Sequence, residues 1–178
     1  MNPTLTIFSG LPGTGKTSLA RMAAAQLRVP LVRLDDLLDF IPAHMLKHAN
    51  PFWDDLMQIV LHLAEAQLAL GLSVIIDAVF MGADRILAQD IAMRHHALYR
   101  PIYTSVSDEQ LWRARVIERC ASVPCEDGPA TWEGIQEQRR MFEIWQPGSA
   151  LFVDAVNPIE HNLAQVLSFI VGTESRQE

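Results

Sequence analysis

The chain has little cysteine: Cys120 and Cys125 are the only two. One C-x4-C pair without a second pair lacks the spacing of a zinc site, and an intracellular chain has small use for a disulfide, so both read as plain thiols. Basic charge is short as well. Lys and Arg number 14 against 21 Asp and Glu, a formal net charge of −7. Such a surface does not attract a polyphosphate backbone, which argues against non-specific nucleic-acid binding and leaves room only for a local basic pocket. No apolar run reaches the ~18 residues that cross a bilayer, so no membrane partner is expected. The opening MNPTLTIFSG has no basic segment ahead of an apolar one, and the expected compartment is cytoplasmic. Internal repeats and low-complexity segments are missing too.

What remains is the composition of an ordinary α/β protein, 178 residues with 49 % hydrophobic and 20 % charged. That length suits one domain with a real core, expected over residues 1–172, with 173–178 as a frayed tail.

Along the chain, strand-like and helix-like segments alternate. TLTIFS (Thr4 to Ser9) is a short β-prone run ending in glycine. Lys16 to Leu27 carries Leu19, Ala20, Ala23, Ala24 and Leu27 at helical spacing. PLVRL forms a second strand ending at Asp35, followed by a turn-rich or helical stretch past Pro42. Asn50-Pro51 predicts a helix start, with Asn50 as the cap and Asp54 and Asp55 near the positive end of the dipole. Leu56, Ile59, Val60, Leu63 and Leu70 mark its apolar face, and Gly71 stops it. SVIID is an almost unbroken apolar run, as for a strand covered on both faces, and Asp77 ends it. A helix over Ala83 to His95, a strand over Arg100 to Val106 and a helix opened by a Ser107-to-Gln110 capping box follow. Cys120 to Thr131 reads as a loop, Trp132 to Trp145 as a helix, ALFVD as the last strand, and Asn157 to Glu160 as the cap of the final helix. This alternation predicts a parallel sheet with right-handed crossovers and helices on both faces.

GLPGTGKT, Gly10 to Thr17, fits G-x-x-x-x-G-K-[ST] at every fixed position and sits between a strand and a helix, as the motif requires. Gly10, Gly13 and Gly15 let the backbone curl until successive N–H groups face phosphate oxygens. The helix that starts near Lys16 adds its positive end. Leu11, Pro12 and Thr14 complete the loop, and Ser18 follows it. Lys16 is expected on the β- and γ-phosphates of ATP and the Thr17 hydroxyl on Mg²⁺. Nothing in the chain resembles a guanine-specificity motif, so the base of the donor stays open.

Binding a triphosphate is only part of a mechanism. In open α/β sheets ligands gather at the carboxyl ends of strands, where Asp35 and Asp77 are both expected. Asp35 is the candidate to orient and deprotonate an acceptor hydroxyl; the competing role is a helix cap, which Asp36 would fill equally well, and Asp39 reads as a solvated face. Asp77 resembles a Walker B carboxylate holding Mg²⁺; the competing role is a strand-end hydrogen bond. Arg115 and Arg119 lie four apart on one helix face ahead of a loop. They are candidates for a lid, approximately 115–131, that closes over the phosphates, the competing role being a solvated face. Arg85, Arg139 and Arg140 are weaker candidates of the same kind. His95 and His96 read as surface residues, and the four tryptophans as core or pocket lining.

Together these segments resemble the small P-loop kinases that include chloramphenicol phosphotransferase, zeta-toxin-like kinases and the polynucleotide 5′-hydroxyl kinase domain. Beyond the P-loop, LDDLLDFIP (Leu34 to Pro42), VIIDAVFMG (Val74 to Gly82) and FVDAVNP (Phe152 to Pro158) carry the likeness, closest to chloramphenicol phosphotransferase. The resemblance implies a P-loop NTPase of the nucleotide-kinase type, with strand order 2-3-1-4-5. It also implies Lys16 on the phosphates, Asp35 as acceptor-activating aspartate, Arg115 and Arg119 as lid arginines, and a small-molecule hydroxyl as acceptor. Polynucleotide kinases usually place an arginine three residues after that aspartate; Leu38 stands here, which argues against a nucleic-acid end. Pro12 and Gly13 also depart from the chloramphenicol phosphotransferase loop. Phe40, Ile41, Met45, Phe52 and Trp53 form the expected apolar pocket wall. A toxin-like kinase of a nucleotide-sugar and a nucleotide-dependent binding switch remain alternatives.

Overall fold

A computed structural model describes residues 2–38, 40–41, 50–122 and 131–172. Five strands, β1 (Thr4–Ser9), β2 (Leu31–Arg33), β3 (Val74–Asp77), β4 (Leu98–Ser105) and β5 (Leu151–Asp154), form one sheet in the order β2-β3-β1-β4-β5. Every pairing is parallel, with Ile7 beside Ile76 and Ile102 beside Leu151. This is the expected order, and it follows from the apolar strands: Leu5, Ile7, Phe8, Val74, Ile75 and Ile76 are all buried, which requires helices on both faces.

One face is covered by α1 (Lys16–Leu27) and α7 (Ile159–Val171), where Leu19, Ala20 and Ala23 meet Phe8, Ile75, Leu163 and Val166. The other is covered by α3 (Asn50–Ala69) and α4 (Gly82–Arg94), whose Val60, Leu61, Ala64, Ala88 and Ile91 pack on Leu5, Ile7 and Ile76. The short α2 (Leu34–Leu38) follows β2 directly. At the carboxyl edge, α5 (Glu109–Ser122) and α6 (Trp132–Met141) build a smaller cluster of Leu11, Trp112, Val116, Ile135 and Phe142.

Several expectations are corrected. The buried line of α3 is Leu56, Met57, Val60, Leu61, Ala64 and Leu68, whereas Ile59, Leu63 and Leu70 are 49, 42 and 74 % exposed. Asn50 lies within α3 rather than capping it, and Pro51 is tolerated because the first turn leaves its missing N–H unneeded. Asp108, not Ser107, caps α5: its carboxylate accepts from the N–H groups of Gln110 (2.9 Å) and Leu111 (3.0 Å). That helix runs through Cys120 to Ser122 and Thr131 caps α6, while residues 123–130, Cys125 among them, lie outside the described residues, as do Asp39 and the tail. The expected helix to Trp145 stops at Met141, because Phe142 turns extended and both it and Trp145 are drawn into the core. Pro158, without a side-chain bond, occupies the cap of α7. Among the described residues no helix is long and apolar enough to cross a membrane.

Candidate active site

The P-loop joins β1 to α1, and its curl depends on glycine. Gly13 and Gly15 hold φ of 80° and 81°, and Gly10 146°, all on the left-handed side. A Cβ at Gly10 would sit 2.4 Å from the Thr104 carbonyl; one at Gly13 would sit 2.8 Å from Val116 Cγ2. Two contacts fix the loop from outside. The Trp112 indole N–H donates to the Pro12 carbonyl at 2.9 Å. Thr14 Oγ1, buried, lies 2.7 Å from the Leu11 carbonyl and 2.8 Å from Thr104 Oγ1, which in turn lies 3.3 Å from the Ser9 carbonyl. Two hydroxyl protons thus serve three contacts, tying the loop to β1 and β4. Lys16 is 7 % exposed, lines the cavity above the loop and has no carboxylate partner among the described residues. A glycine cradle that a Cβ would fill, with a sheltered ammonium lacking a counter-charge, fits a triphosphate. Thr17 and Ser18 occupy the first turn of α1.

Asp35 and Asp77 come together at the carboxyl end of the sheet, as expected, joined by a residue that the sequence reading missed. Arg33 closes β2 and pairs in register with Asp77, the last residue of β3. Its guanidinium, 10 % exposed, lies 3.3 Å from Asp77 Oδ2 and 3.6 Å from Asp35 Oδ2, and also binds Asp36. Asp35 stands on the first turn of α2 with its carboxylate half exposed, while Asp77 is almost fully buried. Asp77 Oδ1 is buried and has no hydrogen-bond partner among the described residues. An orphaned carboxylate oxygen at a strand end beside the cradle is the donor type that Mg²⁺ takes, directly or through water, and so these residues fit the ion.

The two lid candidates separate. Arg119 reaches within 3.9 Å of Asp35 Oδ2. Arg115 instead donates to the Ala155 carbonyl at 3.1 Å, in the loop after β5. Of the weaker candidates, Arg85 lies over the rings of Phe142 (5.2 Å) and Trp145 (4.3 Å) and donates to the carbonyls of Phe80 and Glu143. Burial lowers its affinity for the proton, and its work is to fasten the 142–145 segment to α4. Arg139 pairs with Glu109 at 3.6 Å and lies over Trp112. His95 faces Glu65 at 3.1 Å.

A cavity of about 700 Å³ spans these groups, with Leu11, Pro12 and Lys16 on one side, and Arg33, Asp35, Asp36, Asp77 and Arg119 around its middle. The apolar wall is Leu38, Trp53, Met57, Val79, Met141 and Phe142. Of the expected wall, Trp53 alone among the described residues takes part: Phe40 is 87 % exposed and Ile41 packs against the core, while Met45 and the side chain of Phe52 lie outside the described residues. Phe142, whose ring lies under the Arg85 guanidinium, and Met141 at the end of α6 supply the replacement.

None of the curated proteins matches the chain. Solved structures do resemble it over nearly its whole length. A protein from Chloroflexus aurantiacus assigned as a kinase has 22 % identity and a TM-score of 0.72, covering 97 % of this chain and 96 % of that one. A gluconokinase from Sinorhizobium meliloti has 18 % identity and a TM-score of 0.70, with 96 % and 93 % covered. The APS kinase of Mycobacterium tuberculosis, in complex with AMPPNP and APS, has 16 % identity and a TM-score of 0.66, with 96 % and 98 % covered. These likenesses establish the fold of small P-loop kinases. The AAA_33 model, described as an AAA domain, matches residues 5–144, from β1 through the segment that closes the cavity. The chain belongs to the AAA_33 family of P-loop proteins.

Proposed function

We propose that this protein transfers the γ-phosphoryl group of ATP to the hydroxyl of a small molecule, in the manner of chloramphenicol phosphotransferase. The observation that carries the reading is the placing of Lys16, Asp35 and Asp77 around one cavity with an apolar wall. That AMPPNP occupies a similar fold supports ATP as the donor.

In the reaction the acceptor oxygen attacks the γ-phosphorus while the bond from phosphorus to the β,γ-bridging oxygen breaks, giving a phosphate ester and ADP. Asp35 accepts the hydroxyl proton; it is half exposed and faces the cavity, so the acceptor reaches it without unfolding α2. Lys16 and the backbone N–H groups of the loop from Gly13 to Ser18 hold the phosphates. Thr17 and Asp77 would hold Mg²⁺, which when bound offsets charge on the β- and γ-phosphates. Arg119 sits on the acceptor side beside Asp35, where a cation steadies the charge of the moving group. The lid would be the carboxyl-terminal part of α5 and the residues after it. Arg115 braces the β5 loop and acts on the phosphates only through the position of that helix.

The test is ³¹P NMR detection of γ-phosphoryl transfer from Mg-ATP across hydroxylated small molecules, nucleosides and oligonucleotide 5′ ends. Asp35→Asn is expected to keep ATP binding and lose about 10²-fold or more in transfer, the usual scale for a general base. Equal transfer in both proteins would reduce Asp35 to a helix cap. Slow hydrolysis with no phosphorylated acceptor, identical in both, would favour a nucleotide-gated binding switch.

A further inference from the structure

We propose that the acceptor is an amino alcohol, a hydroxyl compound carrying a protonated amine, with the ammonium seated between Asp54 and Asp84. This rests on the phosphotransferase reading of the same cavity and names the chemistry of its substrate.

The argument is a charge balance. Among the described residues, five carboxylates line the cavity, Asp35, Asp36, Asp54, Asp77 and Asp84, against three cations, Lys16, Arg33 and Arg119. Lys16 is committed to the phosphates. Arg33 is held by Asp35, Asp36 and Asp77 at once, and Arg119 lies against Asp35. Among the described residues, no cation lining the cavity is therefore left to receive an anionic acceptor. With the nucleotide and its metal in place, the acceptor meets an excess of negative charge.

That excess is concentrated away from the P-loop. Asp54 projects from the start of α3 and has no ion-pair partner among the described residues. Asp84 is on the first turn of α4, where it accepts the Met81 N–H at 3.0 Å and leaves a second oxygen for a ligand. Burial, with the charge of Asp54 adding to it, raises the Asp84 carboxyl above its ordinary range despite that hydrogen bond. The charge of the adjacent Arg85 acts on Asp84 and favours its ionised form, but Arg85 forms no ion pair with it: the guanidinium donates to two carbonyls and lies over the rings of Phe142 and Trp145, outside the cavity lining described. That the cavity is built for a ligand is shown independently by Asp77, whose buried, unpartnered Oδ1 belongs to the same lining. Trp53, Met57 and Phe142 give the amine-bearing skeleton an apolar surface, and an aromatic face also suits a cation. The amine itself takes no part in bond making: it stays protonated while the hydroxyl gives its proton to Asp35.

The experiment measures transfer from Mg-ATP, by the full chain, to a library of hydroxylated compounds in matched triplets. Each triplet carries an ammonium, an acetamide or a carboxylate on one skeleton, 2-amino-1-phenylethanol, its N-acetyl derivative and mandelate among them. The ammonium members are expected to have the highest kcat/KM. Asp54→Asn and, separately, Asp84→Asn are expected to lower the ammonium-to-acetamide ratio of kcat/KM by about fivefold, the scale of a partly exposed ion pair. Preference for acetamide or carboxylate members, or an unchanged ratio in both variants, would overturn the assignment while leaving a kinase. Absence of transfer to every class, with ATP still bound, would instead overturn the phosphotransferase reading and this inference with it.

Discussion

Replacing Arg33 with methionine isolates the ion cluster at the heart of the site. Methionine keeps an unbranched apolar stem, so the main loss is the guanidinium with its charge and its hydrogen bonds to the carboxylates. Arg33 lies 3.3 Å from Asp77, and both are nearly buried. At an effective dielectric of about 20 that separation corresponds to about 5 kcal/mol of attraction, much of it offset by the desolvation of both ions. Removing one member leaves the other buried and uncompensated, at a cost of about 3 kcal/mol. Asp35 and Asp36, half exposed, add only tenths because water screens them. For a chain of this size, about 2–4 °C of Tm per kcal/mol gives an expected fall of about 6–12 °C, read by calorimetry or circular dichroism. A cycle with Asp77→Asn separates the pair from general damage: the double variant should lose about 2 kcal/mol less than the sum of the single ones. Mg²⁺ should also stabilise Arg33→Met more than the parent, since it can replace the missing positive charge beside Asp77. A fall in Tm below about 2 °C, or additive losses in the cycle, would refute a coupled buried pair.

Three other outcomes follow from contacts at the nucleotide end. Lys16→Ala should abolish binding of ATP analogues in calorimetric titration with the fold intact; unchanged affinity would dismiss the cradle. Trp112→Phe removes the 2.9 Å bond to Pro12 and should weaken nucleotide affinity about fivefold, the equivalent of a hydrogen bond of about 1 kcal/mol, with no change expected if the indole only fills space. Asp154 is pushed up by partial burial, but hydrogen bonds from Ser107 and Val156 and the charge of Arg115 outweigh this and hold its carboxyl below the usual range. A depressed carboxylate stabilises the fold fully above its unfolded value of about 3.9, and that contribution disappears as pH falls through the lower folded value. Denaturation of the parent and Asp154→Asn should therefore differ by a constant amount at neutral pH, and the gap should shrink as pH falls below the unfolded carboxylate value of about 3.9; a gap that persists in strong acid would show that the bonds, not the charge, matter.

The sheet was legible because β1, β3 and β5 carry short apolar runs, Asp77 and Asp154 end β3 and β5, Asp35 follows β2 closely, and parallel topology places such ends on one edge. Asp35 and Asp77 meet there for that reason. Arg33 was overlooked because it reads as one polar residue in PLVRL. The signal lies in register: once β2 and β3 are neighbours, the residue before the end of PLVRL stands beside Asp77, and in-register side chains of parallel strands share a face. The buried line of α3 was misread for a different reason. That helix carries apolar residues at 56, 57, 59, 60, 61 and 63, wide enough for two competing faces, and only docking on the sheet selects Met57, Leu61, Ala64 and Leu68. The distal wall was illegible because it depends on Phe142, whose ring lies under the Arg85 guanidinium, a contact between residues far apart in the chain.

The lid arginines show how much one helix face connects. Trp112, Arg115, Val116 and Arg119 recur at three- and four-residue spacing, so they project from one side of α5. Trp112 binds the P-loop through Pro12, Val116 lies where a Cβ on Gly13 would have to go, Arg115 holds the loop after β5, and Arg119 meets the acceptor aspartate. A helix fastened at its first two turns to the phosphate cradle and the β5 loop does not swing freely. Closure that brought Arg119 over a transferring phosphoryl group would either break the Trp112–Pro12 bond or be confined to the last turns of α5 and the residues that follow. Among the described elements, α5 is in contact with both the P-loop, through Trp112 and Pro12, and Asp35, through Arg119, so any movement of the loop on binding phosphates meets this helix first.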